Sequence, residues 1–202
     1  MTRLETISKY ITDNEKVLDV GCDQALLSRL LAKRGIYSIA SDLRSNIIEN
    51  AKKGTPNDLK PFIDFRIGNG ITLHDDENDY TLVLAGMGTN TILNILKDTN
   101  KRFNKIITVS NNKNDMLRKE MLSLNYKICL EEIIKEKGKY YNLIVFIPGK
   151  SNYIEEELIV GVNHQNKDLL KEYNEYLIEK YSRIKGNKEL VKVVEILKKY
   201  TY

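Results

Sequence analysis

The stretch Val17-Leu18-Asp19-Val20-Gly21-Cys22-Asp23 decides the fold. Its short apolar run, Val17 to Val20, is stopped by Gly21, the pattern of a buried parallel strand that turns at its carboxyl end. Leu26, Leu27, Leu30 and Leu31 then recur at helical spacing, and Gly35 sits where a helix C-terminus is expected. Working outward, strands are expected at 37–42, 63–67, 80–85 and 106–109, with helices at 45–53, 89–97 and 116–122. Residues 126–134 and 141–147 form a last pair of strands. Their connection through Lys137-Gly138-Lys139 is too short for a crossover, so they must run antiparallel.

Strand–helix alternation followed by a terminal hairpin predicts an α/β, Rossmann-like, doubly wound sheet with mixed ends. In such sheets ligands sit beyond the carboxyl ends of the strands, near the point where strand order reverses. The glycine- and acid-bearing loops at Gly21, Asp42, Gly68-Asn69-Gly70 and Gly86-Met87-Gly88 all fall on that edge. Pro148-Gly149 closes this first domain, 1–150. In 151–202, Leu169, Leu170, Tyr173, Tyr176, Leu177, Tyr181 and Ile184 form one helical stripe, and Leu190, Val193, Val194, Leu197 and Tyr200 another. With Gly186-Asn187 as the turn, they predict a C-terminal antiparallel helical hairpin, coiled-coil-like, projecting from the first domain. The aromatic residues of the stripe read as core rather than as a stacking platform.

The chain has 202 residues, 42% apolar and 30% charged, which excludes a mainly disordered protein. No apolar run reaches the roughly 18 residues that span a bilayer, and the first residues show no apolar segment of a secretion signal. Cys22 and Cys129 are far apart and read as reduced thiols of a cytoplasmic protein. No Cys/His/carboxylate cluster suggests a metal, and His74 and His164 are isolated and read as solvent-exposed. A monomer is expected. Net charge is +4, but between Lys101 and Lys119 six bases (Lys101, Arg102, Lys105, Lys113, Arg118, Lys119) face one acid, Asp115. If their faces line up they make a patch that attracts phosphates; otherwise they are a solvated helix face.

The loop after the first strand limits its ligand by charge. A dinucleotide turn has the form Gly-x-Gly-x-x-Gly, but positions 23 and 26 here are Asp and Leu. A carboxylate aimed at a pyrophosphate would repel it. S-adenosylmethionine carries an ammonium and a sulfonium instead, and Asp19 and Asp23 would attract it. Asp42, with Leu43 beside it, stands where an acid accepts hydrogen bonds from ribose hydroxyls, or else caps a turn. Asn69 could pair with an adenine edge or simply make the turn, and Gly86-Met87-Gly88 would bring backbone close to a transferred methyl group.

These residues resemble a known family, the bacterial tRNA methyltransferases that act on N1 of adenine 22. That family begins like Ser-x-Arg-Leu, and its first motif reads Asp-(Ile/Val)-Gly-(Ser/Cys)-Asp-His-Ala-Tyr-Leu-Pro. Gly-Asp-Gly-Leu, Ala-Gly-Met-Gly-Gly and Gln-Pro-Asn follow. The present chain matches at Arg3-Leu4, Asp19 to Asp23, Ala25, Leu27, Gly68, Gly70, Ala85-Gly86-Met87-Gly88 and Asn111. It matches again at Glu131-Glu132-Ile133-Ile134, Gly138-Lys139-x-Tyr141, Glu156-Glu157-Leu158 and Gly161. It departs at Gln24, Leu26, Ser28, Asn69, Thr89 and Ser110, which replace His, Tyr, Pro, Asp, Gly and Pro.

The resemblance implies a class I methyltransferase sheet that binds S-adenosylmethionine through Asp19, Gly21, Cys22, Asp23, Gln24, Asp42, Leu43, Gly68, Asn69, Gly70, Ala85, Gly86, Met87 and Gly88. It implies tRNA as the partner, held by Arg3, the basic segment and the helical hairpin, and a target base contacted by Asn111. Asp23 would be the acid near the reacting centre. Two other readings stay open: a methyltransferase of this fold acting on another RNA or a small molecule, and a cofactor-binding module without catalysis.

Overall fold

In the computed structural model, which describes residues 1–73, 77 and 79–201, apolar side chains alternate between two buried faces of one sheet. Strands β1 (Lys16–Val20), β2 (Ser38–Asp42), β3 (Ile63–Ile67), β4 (Tyr80–Ala85) and β5 (Ile106–Ser110) are parallel. Strands β6 (Tyr126–Glu136) and β7 (Lys139–Pro148) pair antiparallel, and β7 runs antiparallel to β5. The seven-stranded order is β3-β2-β1-β4-β5-β7-β6, so strand order reverses between β1 and β4. The turn between β6 and β7 is tighter than expected: Lys137 and Gly138 both have positive φ, +49° and +74°, as a two-residue type I′ hairpin requires.

The central strands supply both faces. Leu18, Leu82, Leu84, Ile106 and Phe146 pack under helices α4 (Thr89–Lys97) and α5 (Asn114–Ser123). Val17, Val83, Ile107, Val109 and Val145 pack under α1 (Arg3–Lys9) and α2 (Leu26–Ala32). A third cluster seats α3 (Ser45–Gly54) on β2 and β3 through Ile48, Ala51, Ala40 and Ile63.

Helix α1 is an addition to the sequence-based expectation. Its signal is the pair Thr2 and Glu5: the Thr2 hydroxyl accepts from the Glu5 N–H, and the Glu5 carboxylate accepts from the Thr2 N–H at 2.8 Å. A second short helix, α6 (Glu155–Val160), precedes the expected hairpin of α7 (Lys167–Ser182) and α8 (Lys188–Thr201). The hairpin packs back onto the sheet domain. Val160 of α6 joins Ile196 and Leu197 of α8 in a small core, and Asn174 of α7 is buried.

That docking depends on one buried ion pair. Arg118 of α5 and Glu131 of β6 are each 1% exposed and meet at 2.6 Å. Arg118 also donates to the carbonyls of Leu158 and Ile159, and Glu131 accepts from the Val162 N–H. Gly161, at φ +92°, passes so close that a β-carbon would stand 2.7 Å from Arg118 Nη2 and 2.8 Å from Glu131 Oε1. Arg118 is thus removed from the expected surface RNA-binding set: it is 1% exposed and its donors are engaged by Glu131 and by the Leu158 and Ile159 carbonyls. His164 is also corrected. It is part-buried, with Nε2 3.1 Å from the Val160 carbonyl, and burial holds its pKa below the usual value. His74 lies outside the described residues.

Replacing Glu131 with leucine leaves the Arg118 charge buried and unpaired. The expected loss is about 3–5 kcal/mol of unfolding free energy, read by urea denaturation.

Candidate functional site

The loops after β1, β2, β3, β4 and β5 converge on one edge, at the point where strand order reverses. At its centre is Gly21, with φ +73°. A β-carbon there would stand 2.8 Å from Met87 Cε, so the glycine leaves room for the methionine methyl to cover the turn. Asp23 and Ala25 follow at φ +48° and +52°, left-handed conformations that are strained for side-chain-bearing residues and recur at ligand sites. The carbonyl of Ser41 accepts from both Gly21 and Cys22 N–H, at 2.8 and 3.0 Å, which ties the first loop to β2.

The two acids of this edge differ. Asp19 is buried, and desolvation pushes its carboxyl up to about 7, offset in part by the Ser28 hydroxyl 3.4 Å away. Ser28, which departs from the family pattern, therefore serves the first motif. Asp42 is held by Arg44, whose backbone N–H and Nε both donate at 3.0 Å. That pairing keeps its carboxyl below the usual carboxylate range. Asp23 and Gln24 are exposed, Cys22 is buried, and burial raises the Cys22 thiol pKa. Leu43 and Leu26 present apolar surface to solvent at the same edge. The Gly68 N–H donates to the Asp42 carbonyl at 3.1 Å, so Gly68, Asn69 and Gly70 stand beside the second loop.

The fourth and fifth loops are joined by two residues that the sequence alone left unrelated. Thr89 and Ser110, both departures from the family pattern, are buried with hydroxyls 3.0 Å apart, and each is within 3.0 Å of the Asn112 carbonyl. Two departures from the resembled pattern that are far apart in sequence thus meet as one hydroxyl pair. It locks Ala85-Gly86-Met87-Gly88 to the loop carrying Asn111, which is exposed and borders a cavity of about 530 Å³.

The arrangement is an acid-flanked, glycine-floored turn under a thioether, suited to a cationic ligand with an apolar reactive group. Residues 1–144 match the methyltransferase-domain family. The chain belongs to that family. This methyltransferase domain is 27% identical over 149 residues to the tRNA (adenine(22)-N(1))-methyltransferase of Bacillus subtilis, 71% of this chain and 63% of that protein. The chain thus spans less than two thirds of that curated relative. A candidate tRNA (m1A22) methyltransferase of Streptococcus pneumoniae, solved with S-adenosyl-L-methionine, superposes with a TM-score of 0.90 at 25% identity, covering 99% of this chain and 98% of that one. TrmK of M. capricolum, solved with S-adenosyl-homocysteine, shares the fold at a TM-score of 0.82 and 24% identity, covering 100% and 97% of the two chains.

The basic segment does not form one patch. Lys101, Arg102 and Lys105 precede β5 and lie at the amino edge of the sheet, whereas Lys113 follows it at the ligand edge. Lys105 is part-buried and bound to Glu15 at 2.5 Å and to the Tyr10 carbonyl at 2.9 Å. Arg102 donates to the Leu124 carbonyl and Lys119 is exposed on α5. Arg3 lies over the Tyr141 ring, 4.3 Å from its centroid, and pairs with Glu136. Among the described residues no group of three His, Cys, Asp or Glu side chains could hold a metal ion.

The Thr89–Ser110 pair is open to a double-mutant cycle. Thr89→Ala and Ser110→Ala should each lower stability by about 1 kcal/mol, with the double variant losing less than the sum.

Proposed function

We propose that this chain transfers a methyl group from S-adenosylmethionine to N1 of adenine 22 in tRNA, in the cytoplasm. The observation that carries the reading is Gly21 at φ +73° in the turn after β1, between buried Asp19 and the Asp42 loop, with the Met87 methyl over it. The B. subtilis and S. pneumoniae relatives, which match at the same fold and over most of the chain, support the choice of substrate.

The residues present fit the cofactor. Asp19 and Asp23 offer negative charge to a cationic ligand, and Asp42 has the place and the ionised state to accept from ribose hydroxyls. Gly21, at φ +73°, makes the tight β1 turn and leaves room for the Met87 methyl beside the ligand edge. When bound, S-adenosylmethionine supplies an electrophilic methyl group on a sulfonium. Adenine N1 already carries a lone pair, so no side chain is required to remove a proton before attack. The chain's work is to place the base and exclude water: Met87 covers the turn, and Asn111 is positioned to hold the base edge. Because N1 is hidden in paired RNA, the base must be turned out to reach this edge. The methylated ring is cationic, and the exposed carboxylate of Asp23 offsets that charge. Lys113 and Lys119 remain candidates for phosphate contacts, with Lys101 and Arg102 reaching the RNA only if it wraps to the amino edge.

Labelled S-adenosylmethionine with unmodified tRNA, followed by mapping, should place the label at N1 of a single adenine. Asp23→Ala should slow that transfer by about 10²-fold or more. Label elsewhere would favour another substrate, and cofactor binding without transfer a non-catalytic module.

The raised pKa of Asp19 makes a separate prediction. In the ligand-free chain a carboxyl raised above its unfolded value contributes stability below the model-peptide value of 3.8 and loses it as pH rises through about 7. A bound cation favours the ionised form. Cofactor affinity should therefore increase with pH up to about 7 and then level off, and calorimetry on Asp19→Asn should find this dependence gone.

A further inference from the structure

The 530 Å³ cavity that Asn111 borders lies between the sheet domain and the α7–α8 hairpin. Its size falls in the range of ligand pockets, roughly 300–1,000 Å³, and suits a single nucleotide. Neither Asp23, Gly86 nor Met87 lines it, so it is not the place where the methyl group is received. It is the neighbouring space, sharing the wall made by the loop after β5.

Three buried amides line this cavity, each with one side-chain atom that has no hydrogen-bond partner among the described residues. Asn174 of α7 is 1% exposed, and among the described residues its Nδ2 has no partner. Asn142 of β7 is 2% exposed and its Nδ2 has none, and Asn114, at the start of α5, is 8% exposed and its Oδ1 has none. Buried side-chain amides are almost always satisfied, so two unmatched donors and one unmatched acceptor on one cavity call for a ligand that carries the complement. The edge of a nucleobase does so.

The rest of the wall has the matching chemistry. Tyr140, Tyr173 and Tyr176 cluster with ring centroids 5.0 to 6.4 Å apart, and Tyr176 is still 41% exposed. The aromatic stripe of α7 is therefore not a closed core; it presents a ring face on which a base can stack. Lys113, Lys139 and Lys180 stand exposed among the lining residues, where a phosphate would sit. Lys113 itself is held at φ +47°, a conformation strained for lysine, between Asn112 and Asn114.

We propose that this cavity is a second nucleotide subsite, taking one unpaired base of the RNA other than the adenine that is methylated. The base stacks on the tyrosine wall and its edge meets Asn174 and Asn114. The inference rests on the RNA-substrate reading above, and its test separates the two. The full chain, saturated with S-adenosyl-homocysteine to close the cofactor site, is titrated with adenosine 5′-monophosphate and followed by its side-chain amide resonances. Those of Asn174 and Asn114 should shift and saturate below about 10 mM. Tyr176→Ala, at a position exposed enough to keep the fold, should weaken both this binding and tRNA binding about tenfold. Its affinity for S-adenosyl-homocysteine should be unchanged. Shifts reproduced by inorganic phosphate alone, no saturable shift, or tRNA binding unaffected by Tyr176→Ala would each overturn the subsite. A failure of tRNA methylation, by contrast, would count against the substrate assignment and leave the titration standing.

Discussion

The buried pair of Arg118 and Glu131 is the constraint on which the C-terminal third of the chain depends. Taking two charges out of water is costly, and the pair is retained only because nearly every donor and acceptor on it is matched. The guanidinium reaches two carbonyls at the end of α6, and the carboxylate takes a backbone N–H just beyond it. Gly161 is the residue that lets the chain pass there without a side chain. The same segment then adds to the outer edge of β6, where the Gln165 N–H donates to the Glu131 carbonyl at 2.9 Å. The edge strand is thereby bridged at Glu131, and the path of the chain into α7 is set.

From that anchor the functional geometry follows. Helix α6 meets α8, and α7 lies beside the β6–β7 hairpin, where Tyr140 faces Tyr173 and Tyr176. The hairpin is therefore docked against the loop after β5 and forms the far wall of the cavity that Asn111 borders. On the near side, the Thr89–Ser110 hydroxyl pair ties that loop to the Gly86-Met87-Gly88 turn. The cofactor edge and the hairpin cavity are thus two sides of one loop.

The parallel sheet, its order of elements and its ligand edge were legible because strand and helix periodicities are local. Each glycine stop marks a turn without reference to the rest of the chain. The capping pair Thr2 and Glu5 was equally local, and α1 was there to be read from it. Arg118 shows where such reading ends. In sequence it is one of six bases in a run, and nothing nearby announces that its partner lies on β6. Likewise the run from Lys101 to Lys119 looks like a patch, but it crosses the sheet along β5, so its charges separate to opposite edges.

By itself, then, the sequence determined the sheet and the acid-flanked turn at Asp19 to Asp23, and with them the expectation of a cationic ligand there. These are matters of spacing and of residue type. Only the tertiary structure decided which acids are ionised, which bases are free, and which departures from the family pattern belong together. Burial raised Asp19 while Arg44 lowered Asp42, and folding brought Thr89 to Ser110. Each of these depends on distances between residues far apart in the chain, and a side chain's pKa and partners are set by such distances rather than by its neighbours in sequence.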